Sequence, residues 1–258
     1  MRITLFEKLF VYIVLCIVTI SSLFNLYEGR EKIKSKIFPN IDKINDASEN
    51  DSKWAELLVN EGGYILHFRH AERDRWIDVK TYDALDSHVN NKDENKTRFP
   101  ENDYFEKAVC LNERGKVQAR AMAEHLTYNK FPIGYVISSP SCRARQTAEI
   151  VFGKYDAVDV NLIHTGPYKE NKKTRTEKLK KLYLSLPTKR GTNTIVSSHG
   201  NVIHNDMFIN DVWELADVER GFTVEQGGFY VISKQNDKLK LEHIFYDFSD
   251  FSKNFYTR

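Results

Sequence analysis

Short apolar runs of strand length alternate with longer stretches of helical periodicity, and this alternation restricts the fold more than any other feature. Tyr64–Phe68, GYVISS (134–139), VDVNLI (158–163) and TNTIVSS (192–198) read as strands, followed by GGFYVIS (227–233) and KLKLEHIFY (238–246). Between them, SKWAELLVN (52–60), NERGKVQARAMAEHL (112–126), CRARQTAEIVF (142–152) and RTEKLKKLYLSL (175–186) read as helices. Val117, Ala121, Met122 and Leu126 are expected on one buried face, and Leu179, Leu182 and Leu186 on another. Strands alternating with helices predict an α/β domain with a mainly parallel sheet and helices on both faces.

Residues 9–27 carry no charge and follow Arg2 and Lys8, which predicts a signal-anchor or transmembrane segment over 1–27. Residues 28–51 are polar and read as a linker, leaving 52–258 as the catalytic domain. Arg30, Lys32, Lys34 and Lys36 oppose Arg2 and Lys8, so the positive-inside rule gives a mixed answer. The habit of N-terminal signal-like segments places the domain on the extracytoplasmic, periplasmic side of the membrane. The stretch 78–107 is polar with little to bury and reads as a solvated excursion or a substrate-covering loop, with an Asn95-Lys96-Thr97 acceptor pattern inside it.

Hydrophobic content of 41% and charged content of 29% describe an ordinary globular chain. A net charge of +2 gives no bulk electrostatic case for nucleic acid. Cys16, Cys110 and Cys142 are too few and too scattered for a disulfide framework or a structural zinc site; Cys110 and Cys142 could pair if the domain is exported, but unlinked thiols are the leading expectation.

Three strand ends carry polar groups. Tyr64–Phe68 ends in Arg69-His70, GYVISS leads to Arg143 at a helix start, and TNTIVSS ends at His199-Gly200. In a parallel sheet these ends share one edge, where ligands of such folds gather. Two arginines and two histidines there would form a cationic bowl suited to a phosphoryl group. His67, His70, His199 and His204 are the competing metal-ligand set, but His67 and His70 tend to opposite faces of a strand, and adjacent arginines oppose a cation. No G-x-S-x-G elbow, P-loop or G-x-G-x-x-G cradle is present.

FRHAE (68–72), SSPSCRARQTAE (138–149) and IVSSHGNVI (195–203), each after an apolar strand, together with LNERGKVQARAMAEHL (111–126), resemble the histidine phosphatase superfamily, which includes the cofactor-dependent phosphoglycerate mutases. The resemblance spans about residues 52–233. It implies a phosphoglycerate mutase-like three-layer sandwich, a nucleophilic His70, and Arg69, Arg143 and His199 holding the phosphoryl oxygens. It also implies a carboxylic acid for the leaving oxygen. Glu170 is the substrate-binding candidate for that role, with Glu72, Asp74 and Glu225 as others. Ala71 departs from the glycine of the mutases, and the mutases' larger insertions have no counterpart. The chain therefore looks more like the compact phosphatases of the superfamily.

The expected activity is metal-independent hydrolysis of a phosphomonoester through a phosphohistidine, with no cofactor. The expected partners are a phosphorylated small molecule or phosphoprotein and the membrane. A protein phosphohistidine phosphatase and a non-catalytic phospho-ligand binding module remain as alternatives.

Overall fold

The computed structural model describes residues 41–75, 107–164, 171–217 and 220–255. The chain divides into two units, residues 1–50 and 51–258. The expected segment at 1–27 and the loop at 78–106 lie outside the described residues, as does Glu170. Among the described residues no helix is long and apolar enough to cross a membrane.

In chain order the elements are α1 (Ile41–Asn60), β1 (Ile65–Arg69), α2 (Glu113–Tyr128), β2 (Ile133–Ser138), α3 (Cys142–Phe152) and β3 (Ala157–Val158). Then follow α4 (Lys172–Ser185), β4 (Asn193–Ser198), β5 (Phe229–Gln235), β6 (Lys238–Phe245) and α5 (Phe248–Ser252). α1 starts at Ile41, well before the expected Ser52. Neither proline nor glycine interrupts residues 41–60, so nothing in that polar stretch breaks the helix. VDVNLI, expected as a strand, is strand only at its start. β3 ends at Val158, where the Asp159 carboxylate accepts from the Asn161 N–H and turns Val160–Leu162 into a single 3-10 turn.

The strands form one sheet in the order β3-β2-β4-β1-β5-β6. β3, β2, β4 and β1 run parallel, whereas β5 is antiparallel to β1 and β6. The sheet is thus mixed, with a parallel half carrying the three polar strand ends. β6 does not stand open at the edge. Ile209 N–H donates to Leu239 O, and the Asn210 side chain exchanges hydrogen bonds with Leu241.

Side-chain alternation splits the core in two. Leu66, Phe68, Val136, Ile195, Phe229 and Val231 pack beneath residues of α1, α2, α3 and α5. Ile65, Ile137, Val196, Tyr230 and Ile232 face Leu179 and Tyr183 of α4 on the opposite side. On α2 the buried face is Gly115, Ala119, Met122, His125 and Leu126. Val117 is 59% exposed and Ala121 is exposed as well, so the expected face was rotated. Gly115 sets that rotation: Asn112 caps the helix by accepting from Gly115 N–H at 2.7 Å, and the chain after β1 lies against the same turn. α4 buries Leu179, with Leu186 just beyond its end, as expected, but Tyr183 rather than Leu182 completes its buried face.

A Cβ on Gly115 would lie 1.9 Å from the Glu72 carbonyl oxygen, a backbone atom with no room to yield. Gly115→Ala should therefore lower stability by about 1–3 kcal/mol. Denaturant unfolding checks this, and a variant as stable as the parent would contradict the close packing.

Candidate active site

The parallel register brings the polar strand ends together. Arg69 stands opposite Ser198 in the β1–β4 pair, and Ser138 stands opposite Ser197 in the β2–β4 pair. The ladder continues past the strand ends, because His70 N–H donates to Ser198 O and Ser139 N–H donates to Ser197 O, each at 2.9 Å. His70, Arg143 and His199 are all buried at this edge, and Arg69 is half-buried.

Hydrogen bonds fix the tautomer of each histidine. His70 Nδ1–H donates to Ala71 O at 2.7 Å, which leaves the lone pair on Nε2. Arg143 Nη2 lies 3.3 Å from His199 Nδ1. A guanidinium only donates, so His199 Nδ1 accepts and its proton resides on Nε2. That Nε2–H faces Ser139 Oγ at 3.2 Å and Ser141 Oγ at 3.3 Å. The two rings stand edge-to-face, with centroids 5.3 Å apart. Arg143 Nη1 also donates to Val109 O at 3.3 Å, and Arg69 Nη1 donates to Val224 O at 2.6 Å.

Electrostatics favour neutral imidazoles. Burial first, then Arg143, holds the His70 proton affinity well below that of an ordinary histidine. His199 is lowered in the same way, by burial first and Arg143 next, with His164 adding to the effect. Arg69 is lowered by burial, while exposed Glu225 acts in the opposite sense.

Glu72 and Asp74, expected as possible acids, are engaged elsewhere. Glu72 pairs with Arg114 at 2.5 Å and accepts from Asn112 Nδ2, which also donates to Asp74. Their carboxylates thus bind the N-terminal turn of α2. His204 is half-buried in the loop after β4, and among the described residues no cluster of ligating side chains could hold a metal ion.

Sequence reasoning missed two supporting residues, Thr147 and His164, whereas His67, weighed there as a ligand and as a structural residue of the core strand, holds a structural place. His67, on the opposite face of β1 from Phe68, donates through Nε2 to the His199 carbonyl at 3.0 Å and accepts from the Tyr183 hydroxyl at Nδ1. Burial pushes its pKa down to about 4. Thr147 accepts from Ala71 N–H at 3.0 Å and donates to Arg143 O at 2.8 Å, tying the exit of β1 to α3. His164 is buried with its ring edge-on to His199 at 4.8 Å. The signal for His67 was an imidazole inside an apolar strand, and for Thr147 a hydroxyl one turn beyond Arg143.

The cysteines correct another expectation. Cys110 and Cys142 form a disulfide with Cα atoms 4.8 Å apart. Cys142 opens α3, and Cys110 lies on the segment entering α2, which packs on α3. The pair is buried with Ala108 and Val109. A sequence separation of 32 could not disclose that proximity. The bridge holds the Val109 carbonyl against Arg143.

Replacing both cysteines by serine should cost about 2–4 kcal/mol in denaturant unfolding. An unchanged midpoint would show that the bridge contributes nothing. His67 yields a pH prediction. Its folded pKa is depressed, so the folded state binds fewer protons than the unfolded state. Its contribution is complete above about pH 6.5 and declines as pH falls toward 4, by about 3 kcal/mol in all. Unfolding midpoints across that window should fall less steeply in His67→Gln.

Residues 103–165 match a family model described as the histidine phosphatase superfamily, branch 1. No curated protein matches the chain. Among solved structures, an open reading frame product of Mycobacterium tuberculosis is similar at 17% identity and a TM-score of 0.43, covering 70% of this chain and 96% of its own. A protein of Thermus thermophilus is similar at 16% identity and a TM-score of 0.41, covering 70% and 98%. The protein histidine phosphatase SixA, complexed with tungstate, is similar at 18% identity and a TM-score of 0.39, covering 70% and 96%. The family model, over residues 103–165, and the sequence motifs agree on a resemblance to the histidine phosphatase, phosphoglycerate mutase-like superfamily.

Proposed function

We propose that the chain is a phosphatase of the compact type that passes a phosphoryl group through His70. The observation that carries this reading is the Nδ1–H bond of His70 to Ala71 O, which leaves an unprotonated Nε2 in the bowl beside Arg143 and His199. A neutral imidazole is a competent nucleophile near neutral pH.

In the first step the Nε2 lone pair forms a bond to phosphorus while the bond to the leaving oxygen breaks. That oxygen takes a proton, for which Glu170 is the proposed carboxylate. In the second step water attacks phosphorus and gives its proton to the carboxylate left by the first step, while the P–N bond breaks and its electron pair returns to Nε2. Charge on the phosphoryl oxygens is met by Arg69, Arg143 and His199, whose Nε2–H would exchange the Ser139 and Ser141 hydroxyls for a phosphoryl oxygen. Fixed guanidinium groups supply the role that a metal ion plays elsewhere, which supports a metal-independent reaction.

The N-terminal segment is proposed to anchor the domain on the extracytoplasmic side of a membrane. The Cys110–Cys142 disulfide supports an oxidising compartment.

His70→Ala should reduce hydrolysis of an aryl phosphate by about 10⁴-fold or more, and Arg143→Ala by about 10²–10³-fold. Wild-type turnover should persist in chelator, and rapid quench should trap an acid-labile phosphoenzyme that His70→Ala lacks. Activity retained in His70→Ala would remove the histidine from the mechanism. Turnover of a phosphohistidine protein in preference to esters would reassign the substrate to a phosphoramidate.

A further inference from the structure

The cationic surface continues beyond His199. The carbonyl of Ile163, beside His164, accepts from Arg175 Nη2 at 2.8 Å, so the start of α4 reaches the carboxyl edge of the sheet. Residues 205–207, in the loop after β4, pack on the same helix. There Lys172 faces Asp206 at 4.0 Å. Half-buried His204 is held below its ordinary proton affinity by burial and then by Lys172 and Arg175, with Asp206 acting the other way. Ammonium, guanidinium and imidazole groups are therefore gathered where the start of α4 meets the segments that follow β3 and β4.

This concentration of charge is local. α4 carries six cationic side chains against one carboxylate, Glu177, which pairs with Lys180 at 3.3 Å. The entire chain has a net charge of only +2. Arg175 is half-buried and anchored to the main chain, so its charge is held in place rather than sampling solvent. The transfer step at His70 uses none of Lys172, Arg175 and His204.

Resting on the phosphatase reading, we propose that Lys172, Arg175 and His204 form a second oxyanion subsite on the His199 flank of the bowl. The preferred substrate is then a phosphomonoester bearing a second phosphate-like group. One oxyanion occupies the bowl as the group transferred, and the other sits on the α4 flank and fixes which ester is presented to His70.

The test compares glucose 1,6-bisphosphate with glucose 6-phosphate. Wild-type kcat/KM should favour the bisphosphate, and Lys172→Gln or Arg175→Gln should lower that preference about 10-fold. Lys172 is exposed, so Lys172→Gln serves as the variant that leaves folding undisturbed. A parallel arm measures binding of both sugars to His70→Ala by calorimetry, with and without the same substitutions. A bisphosphate excess that disappears with Lys172→Gln, in a protein whose wild type turns over neither sugar, would keep the subsite and remove the phosphatase reading. Equal handling of both sugars by wild type, or a preference unmoved by either substitution, would overturn the subsite. Loss of sedimentation with anionic phospholipid vesicles in Lys172→Gln, with the sugar preference intact, would instead make α4 a lipid-facing surface and overturn it too.

Discussion

The parallel pairing of β1 with β4 is the constraint on which the site depends. β1 sits inside the sheet, with β4 on one side and antiparallel β5 on the other. Its hydrogen-bond ladder does not stop at Arg69 but extends through His70 N–H to Ser198 O. That bond fixes the height of His70 relative to the turn into His199. A one-residue slip in a strand exchanges its two faces. Here it would send His67 into the Leu66 and Phe68 cluster and strip the hydrogen bonds from a buried imidazole. The apolar alternation that holds β1 in register is therefore also what aims its polar end.

Burial then divides the chemistry between two kinds of side chain. Imidazoles removed from water are driven neutral, at His67 by burial and at His70 and His199 by burial and then by Arg143. Positive charge at the bowl consequently belongs to Arg69 and Arg143. The neutral rings keep a definite tautomer because one nitrogen of each meets a partner that can only donate or only accept. His70 faces a carbonyl and His199 faces a guanidinium. His67 extends the arrangement by one layer, joining Tyr183 of α4 to the turn that carries His199. A helix on the far face of the sheet is thus tied to the rim of the bowl through a strand.

Much of this was legible in sequence, and the failures have physical causes. The strands whose apolar runs are buried on both faces were plain, and so were the polar groups at their ends. The rotation of α2 was not, because Gly115 contributes no hydrophobicity yet takes the closest backbone contact, whereas Val117 is apolar and exposed. VDVNLI failed as a strand because Asp159 offers its own side chain to the backbone and ends the ladder. The two arginines of CRARQ look equivalent in sequence. The fold separates them: Arg143 reaches His199, and Arg145 turns back to the Pro140 carbonyl and braces the turn below Ser139 and Ser141. Position at the helix start and the motif named Arg143 for the bowl, whereas the bracing role of Arg145 is seen only in its contact with Pro140.

The same division of labour limits how acidity can act on the site. A guanidinium can only donate and carries its charge at any ordinary pH, which is why arginine suits this place. His70 and His199, held well below the usual histidine value, have already lost their protons near neutrality. Between about pH 6.5 and 8 the bowl therefore presents one protonation state. A phosphate monoester changes charge near pH 6, close to its second ionisation. Variation in anion capture just above that point follows the ligand's own titration rather than the protein's. On the proposed mechanism, His70 would be unprotonated before a phosphate monoester is fully charged, and the arginines would supply the attraction that grows as it becomes so.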